Sequence, residues 1–467
     1  MRSFLAPSAC ALAFLLFVCV ASRAQEVSTS DQKSINAAQP KTASQVSSSA
    51  DAAAMYEDAS KYLERKFAEF NRAGTPYSPQ LELTTRQQQR ELAAAYAARL
   101  SARAKLKPED YYFIGLLNQI AGKADAVAEP LRHFLAESAK RKDADALKLQ
   151  NARRVVAEMA ARAGQFDEAE RLLADYAGSE PRNALDLFRL RVALAASYEH
   201  DKRFDQALPH ERAAFEAAKA AETTSRDYVQ RAQLINSAGV MLANLLLKSK
   251  RDAEALALMK ELLNFGLTLP SAHVYANAVE LLTGSGNAIS VEQSIAESAA
   301  HTEVAPEVEV AKWIEQKPTT LAALRGQVVV LEFWATWCEP CQQTMPRLKL
   351  LQDKFRERGL VVVGLTELYG ESGGKSVTRE EELSEIAAFH KRLRLSYGVG
   401  VAATDATNLR YGVRALPTTF LIDRRGVVRY IDIGADEAGT TALEGVIESL
   451  LDEKTAVSDR KIVTSDK

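Results

Sequence analysis

The hydrophobic pattern of this chain of 467 residues changes its character once. From about Ala52 to Thr283, apolar residues recur at spacings of three and four among Ala, Leu, Glu, Arg and Lys, as in amphipathic helices. Between 326 and 434, short β-branched runs replace that pattern, and the first two are separated by a helical pattern over 338–358. The change predicts an N-terminal all-α domain followed by a smaller α/β domain.

Four segments within the helical part resemble one another. Each has a small or basic turn, then an acid-bearing helix start and an Ala/Leu face, at 121–131, 163–173, 201–211 and 249–259. Their starts lie 42, 38 and 48 residues apart. The pattern resembles tetratricopeptide-type repeats, whose period is about 34 residues, and so predicts an α-solenoid of helical hairpins. An irregular Ala-rich helical bundle is the alternative.

The N-terminal segment is typical of an export signal. Arg2 precedes an apolar stretch over 9–20, and Ser22 and Ala24 fit a signal-peptidase site after Ala24. The apolar run is shorter than the ~18–20 residues that a membrane-spanning helix needs. We therefore expect an exported, periplasmic protein, with an uncleaved membrane anchor facing the periplasm as the alternative.

These patterns divide the chain into six segments. We expect a signal peptide over 1–24, a disordered tether over 25–50, a helical-repeat domain over 51–290, a linker over 291–304, an α/β domain over 305–453 and a flexible tail over 454–467. The formal net charge of −2 gives no reason to expect nucleic acid as a partner.

The cysteine positions indicate redox chemistry. Cys10 and Cys19 fall inside the expected signal peptide, so the mature chain keeps Cys338 and Cys341. One close pair in an oxidising compartment is typical of reversible thiol-disulfide chemistry. Half of a zinc site is the alternative, but no second cysteine pair follows in the sequence, and the next histidine, His390, has no nearby second ligand. We expect no metal and no organic cofactor.

The string WCEPC joins a strand pattern to a helical pattern. Cys338 precedes the helix start, where free backbone N–H groups and the helix dipole favour its thiolate form. Pro340 stands in the first turn, where its missing N–H costs nothing. Cys341, one turn further, is expected to be the shielded resolving thiol. Glu339 adds negative charge near the thiolate, which favours a less oxidising couple and hence a reductase.

Residues from about 305 to 453 resemble the exported TlpA/ResA-type branch of the thioredoxin fold. The strings that carry the likeness are APEVEV, TTLAALRGQVVVLEFWATWCEPC and YGVRALPTTFLIDRRGVV. The resemblance implies a thiol-disulfide oxidoreductase in which Pro417 is the cis-proline of the substrate groove, with Leu416 and Trp337 beside it. It also implies a membrane-embedded electron donor.

One acid, Glu332, interrupts the apolar run before the cysteines. The resemblance places it beneath the resolving cysteine, where burial raises its pKa and suits it to accept the proton of Cys341. A solvent-facing position at a strand edge is the alternative. Thr344 stands where many ResA-like proteins carry a glutamate, which argues against cytochrome c maturation as the specific role.

The sequence therefore predicts a thiol-disulfide oxidoreductase that reduces protein disulfides and binds its clients or partners on the helical domain. A helical-repeat scaffold whose cysteine pair is structural or regulatory is the alternative function. Turnover of a protein disulfide distinguishes the two, because a scaffold shows none.

Overall fold

The computed structural model describes residues 51–141, 143–220, 225–287, 298, 300–372, 375–435 and 437–453, without the side chains of 225–228 and 437–441. The predicted signal peptide, tether and tail, and part of the predicted linker, lie outside these residues. Within the described ranges, no helix has the length and apolar character needed to cross a membrane. The chain divides into two compact units between Arg141 and Lys142.

The first unit consists of helices around an apolar core. They are α1 (Ala52–Ser60), α2 (Tyr62–Arg72), α3 (Pro79–Ser101), α4 (Pro108–Ile120) and α5 (Ala128–Ser138). Leu117 of α4 and Leu131 of α5 are fully buried. A Cβ atom on Gly115 would lie 2.6 Å from Cγ of Leu131, so the glycine permits the close approach of α4 and α5.

The second unit begins with the remaining helices of the all-α region. They are α6 (Ala146–Arg162), α7 (Phe166–Ala177), α8 (Ala184–His200), α9 (Phe204–Ala220), α10 (Ser225–Lys248), α11 (Asp252–Thr268) and α12 (Ala272–Gly284). Consecutive helices pack against each other along this series. The predicted all-α region is thus confirmed, while its identity as tetratricopeptide-type repeats stays a prediction.

The four similar segments share one backbone turn. The second residue of each has a left-handed conformation, with φ of +74°, +71°, +59° and +57° at Gly122, Gly164, Lys202 and Lys250. The following residue donates its N–H to the carbonyl oxygen five residues earlier, at 2.8–3.0 Å. This bond closes the end of the preceding helix. The similarity in sequence therefore corresponds to a repeated helix stop.

Replacing Lys202 by glycine should stabilise the protein, because a lysine in the left-handed conformation costs about 1 kcal/mol that glycine avoids. The reverse change at the equivalent position, Gly164→Ala, should destabilise it by a similar amount. A Cβ atom on Gly164 would meet nothing within 4 Å, so its effect is confined to the backbone. Urea unfolding followed by circular dichroism measures both variants, and a lower midpoint for Lys202→Gly would contradict the prediction.

The α/β region is built on a six-stranded sheet, in which the first strand of the chain lies at one edge and the last at the other. The strands are β1 (Val310–Ile314), β2 (Val328–Phe333), β3 (Leu360–Thr366), β6 (Gly398–Ala402), β7 (Thr418–Ile422) and β8 (Val428–Ile433), and β4 (Glu371–Ser372) and β5 (Lys375–Ser376) form a separate hairpin. Strands β2, β3 and β6 are parallel, and β7 runs antiparallel to β2. The helices are α13 (Glu339–Phe355), α14 (Arg379–Leu393), α15 (Ala406–Arg410) and α16 (Glu437–Asp452). This is the predicted thioredoxin-like fold.

Helices α11 and α12 pack directly on the α/β region, where both contact β8. The N–H of Ala272, at the start of α12, donates to the carbonyl oxygen of Tyr411 at 2.9 Å. Gly412 has a φ of +58°, and a Cβ atom there would lie 2.5 Å from the hydroxyl oxygen of Ser271. Helices α6 to α12 therefore belong to the same compact unit as the sheet. The domain bounds 51–290 and 305–453 stay a prediction.

Candidate active site

The two cysteines lie at the N-terminus of α13. Cys338 is the N-cap residue, and its Sγ accepts a hydrogen bond from the N–H of Cys341 at 3.2 Å. The two residues form a disulfide, with their Cα atoms 5.3 Å apart. Cys341 is completely buried, whereas Cys338 keeps 3% of its surface exposed. Cys338 is thus the more accessible residue and the one nearest the positive end of the helix.

Trp337 flanks the disulfide and is 56% exposed. Its ring meets that of Tyr369 edge-on, with the ring centroids 5.3 Å apart. The buried carboxylate of Glu382 holds the Tyr369 segment by accepting the N–H groups of Tyr369 and Gly370, at 2.8 and 3.0 Å. Tyr369 was not predicted as a site residue, because its sequence neighbourhood carries no signal that the loop after β3 returns to the cysteines.

Pro417 follows a cis peptide bond from Leu416 and is buried. It directly precedes β7, in which Thr418 pairs with Phe333 at the end of β2. The chain leaves that same end of β2 to reach Cys338. Pro417 and the disulfide therefore both lie at the C-terminal end of β2. Leu416 packs against the apolar cluster that contains both cysteines. The structure therefore brings Leu416, Pro417 and the cysteines together.

Glu332 is completely buried in β2, a strand that is paired on both sides. It therefore does not face solvent at a strand edge. The hydroxyl group of Thr344 donates to its Oε1 at 2.7 Å, and Oε2 has no hydrogen-bond partner among the described residues. Burial raises the pKa of Glu332 to about 8, against the opposing effect of the Thr344 hydrogen bond.

Glu332 should make the folded protein less stable as the pH rises. The folded state holds the Glu332 proton up to about pH 8, whereas the unfolded chain releases it near the ordinary pKa of 4.5. Between these values the folded state binds more protons, so each pH unit lowers the free energy of unfolding by about 1.4 kcal/mol. Glu332→Gln should remove this contribution. Its stability relative to the wild type, measured by urea unfolding, should rise between about pH 5 and pH 8; a constant difference would contradict the prediction.

Comparisons with known proteins match the part of the chain that contains this site. The family model described as AhpC/TSA family matches residues 302–431, a range that includes all six predicted site residues. Thiol-disulfide oxidoreductase ResA of Bacillus cereus is 33% identical over 137 residues, which are 29% of this chain and 71% of that relative. The chain belongs to the ResA family of thiol-disulfide oxidoreductases.

Two further proteins resemble this member of the ResA family. Thioredoxin-like protein YneN of Bacillus subtilis is 30% identical over 124 residues, which are 26% of this chain and 66% of that relative. The crystal structure of StoA from Bacillus subtilis is 21% identical, covers 30% of this chain and 98% of that chain, and has a TM-score of 0.25.

Within the described residues, no cluster of three or more His, Cys, Asp or Glu could hold a metal ion.

Proposed function

We propose that this member of the ResA family is an exported reductase of protein disulfides, in which Cys338 attacks and Cys341 resolves. The observation that carries the proposal is the buried carboxyl group of Glu332 and its link to the cysteine helix. The hydroxyl oxygen of Thr344 lies 2.7 Å from Oε1 of Glu332 and 3.0 Å from the carbonyl oxygen of Cys341. A titratable group is therefore held next to the first turn that bears the disulfide.

The proposed reaction consists of two exchanges. The Cys338 thiolate attacks a substrate disulfide, so a bond forms between Sγ and one substrate sulfur while the other leaves as a thiolate. The Cys341 thiol then gives its proton to the Glu332 carboxylate and attacks Sγ of Cys338. This closes the protein disulfide and releases the second substrate thiolate. Two electrons pass to the substrate, whose thiolates take protons from water.

The raised pKa of Glu332 suits it to accept a proton from a thiol. An ordinary cysteine thiol has a pKa of about 8.5. Transfer from it to a carboxylate whose pKa is about 8 is nearly balanced. Transfer to an exposed carboxylate with a pKa of about 4.3 would be unfavourable by roughly 6 kcal/mol. Burial of Glu332 therefore removes most of the opposing free energy from the resolving step.

Glu332→Gln should slow the resolving step by about 10²–10⁴-fold, the usual effect of losing a general base, and leave the attack by Cys338 nearly unchanged. Stopped-flow tryptophan fluorescence, to which Trp337 beside the disulfide contributes, can follow the two steps separately. The matched control is Glu357→Gln, which removes an exposed acid beyond the opposite end of α13. An unchanged rate of resolution would return Glu332 to a structural role.

Trp337, Leu416 and Pro417 are the proposed contacts of the protein substrate. The exposed ring of Trp337 offers an apolar surface beside Cys338, and Leu416 is half-buried against the cluster that contains the cysteines. The oxidised pair must be reduced again after each turnover, and we propose a membrane-embedded donor for this step. We also propose an exported, periplasmic location, which the character of the N-terminal segment supports, with a membrane anchor facing the periplasm as the alternative.

The helical region is the proposed surface for clients or partners. Its support is the contact of α12 with Tyr411, since the segment after Tyr411 leads to Leu416 and Pro417. A bound client would thus be held next to the reactive disulfide, which raises its local concentration there. The alternative, a scaffold whose cysteine pair is structural or regulatory, predicts no reduction of insulin in the presence of dithiothreitol.

Cys341→Ser should accumulate mixed disulfides between Cys338 and its substrates, because the resolving attack is lost. A photo-crosslinker at Leu147 of α6, which is 69% exposed, should then label the captured proteins. The control position is Leu350 of α13, which is 67% exposed. A trap that captures no protein contradicts the reductase, and equal labelling from both positions contradicts client binding by the helices.

A further inference from the structure

The hydroxyl group of Thr344 contacts both the buried acid and the resolving cysteine. One contact, with Oε1 of Glu332 at 2.7 Å, crosses from α13 to β2. The other, with the carbonyl oxygen of Cys341 at 3.0 Å, stays within the first turns of α13. Among the described residues, the Glu332 side chain receives its hydrogen bond from Thr344, and Oε2 receives none. Oε2 is therefore the oxygen free to take a proton.

A hydroxyl group has one proton, and here two acceptors lie within its reach. When Glu332 is ionised, the charge-assisted hydrogen bond to Oε1 is the stronger one and takes the proton. When Glu332 is neutral, the Cys341 carbonyl remains an acceptor, so Thr344 keeps a hydrogen bond after a rotation about one bond. The hydroxyl can thus follow the charge of the acid without any movement of the backbone.

We propose that Thr344 is the positioning residue that orients Glu332 for its proton transfer with Cys341 and sets the pH at which the resolving step becomes fast. The inference rests on the proposed role of Glu332 as proton acceptor. Because the hydroxyl stabilises the carboxylate, it keeps part of the buried acid in the form that can accept a proton. In agreement, the Thr344 hydrogen bond lowers the pKa of Glu332 against the larger effect of burial.

The other groups around Glu332 add no competing charge. Strands β3 and β7 place Gly364 and Thr419 opposite it. Tyr397, which precedes β6, interacts electrostatically with Glu332, and burial together with this interaction raises the pKa of Tyr397 well above its ordinary value. Its phenol therefore stays neutral at the pH of the reaction. The charged residues of α13 are Glu339, Arg347, Lys349, Asp353 and Lys354. None of them contributes to the raised pKa of Glu332, which results from burial and the opposing Thr344 hydrogen bond.

The test compares Thr344→Val, which keeps the shape of the side chain and removes the hydroxyl, with Thr344→Ser, which keeps the hydroxyl. Resolution rates are measured by stopped flow between about pH 6 and pH 9.5. In the valine variant, the midpoint of the pH profile should rise by about one to two pH units, and resolution near pH 7 should slow about tenfold or more. The serine variant should restore the profile, and the attack by Cys338 should be unchanged in both.

Three results would overturn the inference. If the midpoint of the pH profile does not move in Thr344→Val while resolution is slow in Glu332→Gln, the role of Thr344 is contradicted and the proposed function stands. An unchanged rate of resolution in Glu332→Gln contradicts both the role of Thr344 and the proposed role of Glu332. Equal slowing in the valine and serine variants without a pH shift assigns Thr344 to the folding of α13. The double variant Glu332→Gln/Thr344→Val should be no slower than Glu332→Gln alone, and Thr344→Ala replaces the valine variant if that one does not fold.

Discussion

The hydrogen bonds that hold β2 between β3 and β7 are the constraint from which the active site follows. All six residues of β2 are buried, so its acid, Glu332, is removed from water by its position in the sheet. The end of the same strand leads to Cys338 and pairs with the residue that follows Pro417. The disulfide, the buried carboxyl group and the cis peptide bond are thus placed by one strand and its two neighbours.

Burial of Glu332 lowers the stability of the folded protein at the pH values where the carboxyl group would ionise in water. A pKa raised from 4.5 to about 8 corresponds to roughly 5 kcal/mol of lost stability at high pH. The free energy of unfolding of a whole domain is only about 5–15 kcal/mol, so this loss is large for one side chain. Thr344 is the polar contact that reduces it. On the proposed mechanism, this loss of stability accompanies a proton acceptor whose pKa is close to that of a thiol.

The strands that could be predicted from the sequence are those with continuous β-branched runs, namely β2, β3, β7 and β8. Strands β1 and β6 were not predicted. In β6, glycines at positions 398 and 400 dilute the β-branched signal, and β1 is a short edge strand with mixed polarity. The recurrent helix stops were visible in the sequence, although two of the four left-handed positions are occupied by lysine rather than glycine.

Within the site, the cysteines could be located from their spacing alone, because the chemistry requires two thiols at one helix start. The contacts of Thr344 and Tyr369 could not be predicted from the sequence. Thr344 meets Glu332 only because α13 packs on β2, and Tyr369 meets Trp337 only because the loop after β3 returns to the cysteines. Such contacts depend on packing between elements that are distant in sequence, and no local pattern encodes them.

The hydrogen bond from Ala272 to Tyr411 makes α12 a neighbour of the segment that ends in the cis-proline. Two sites joined in this way are thermodynamically linked whenever a ligand at one prefers a particular arrangement of the other, and such linkage is reciprocal. If the helices bind a protein, as proposed, and that protein favours one position of the Tyr411 segment, it would alter the affinity of the proposed substrate contacts at Leu416 and Pro417. By the same free energy, a substrate bound at Leu416 and Pro417 would change the affinity of the helices for that protein.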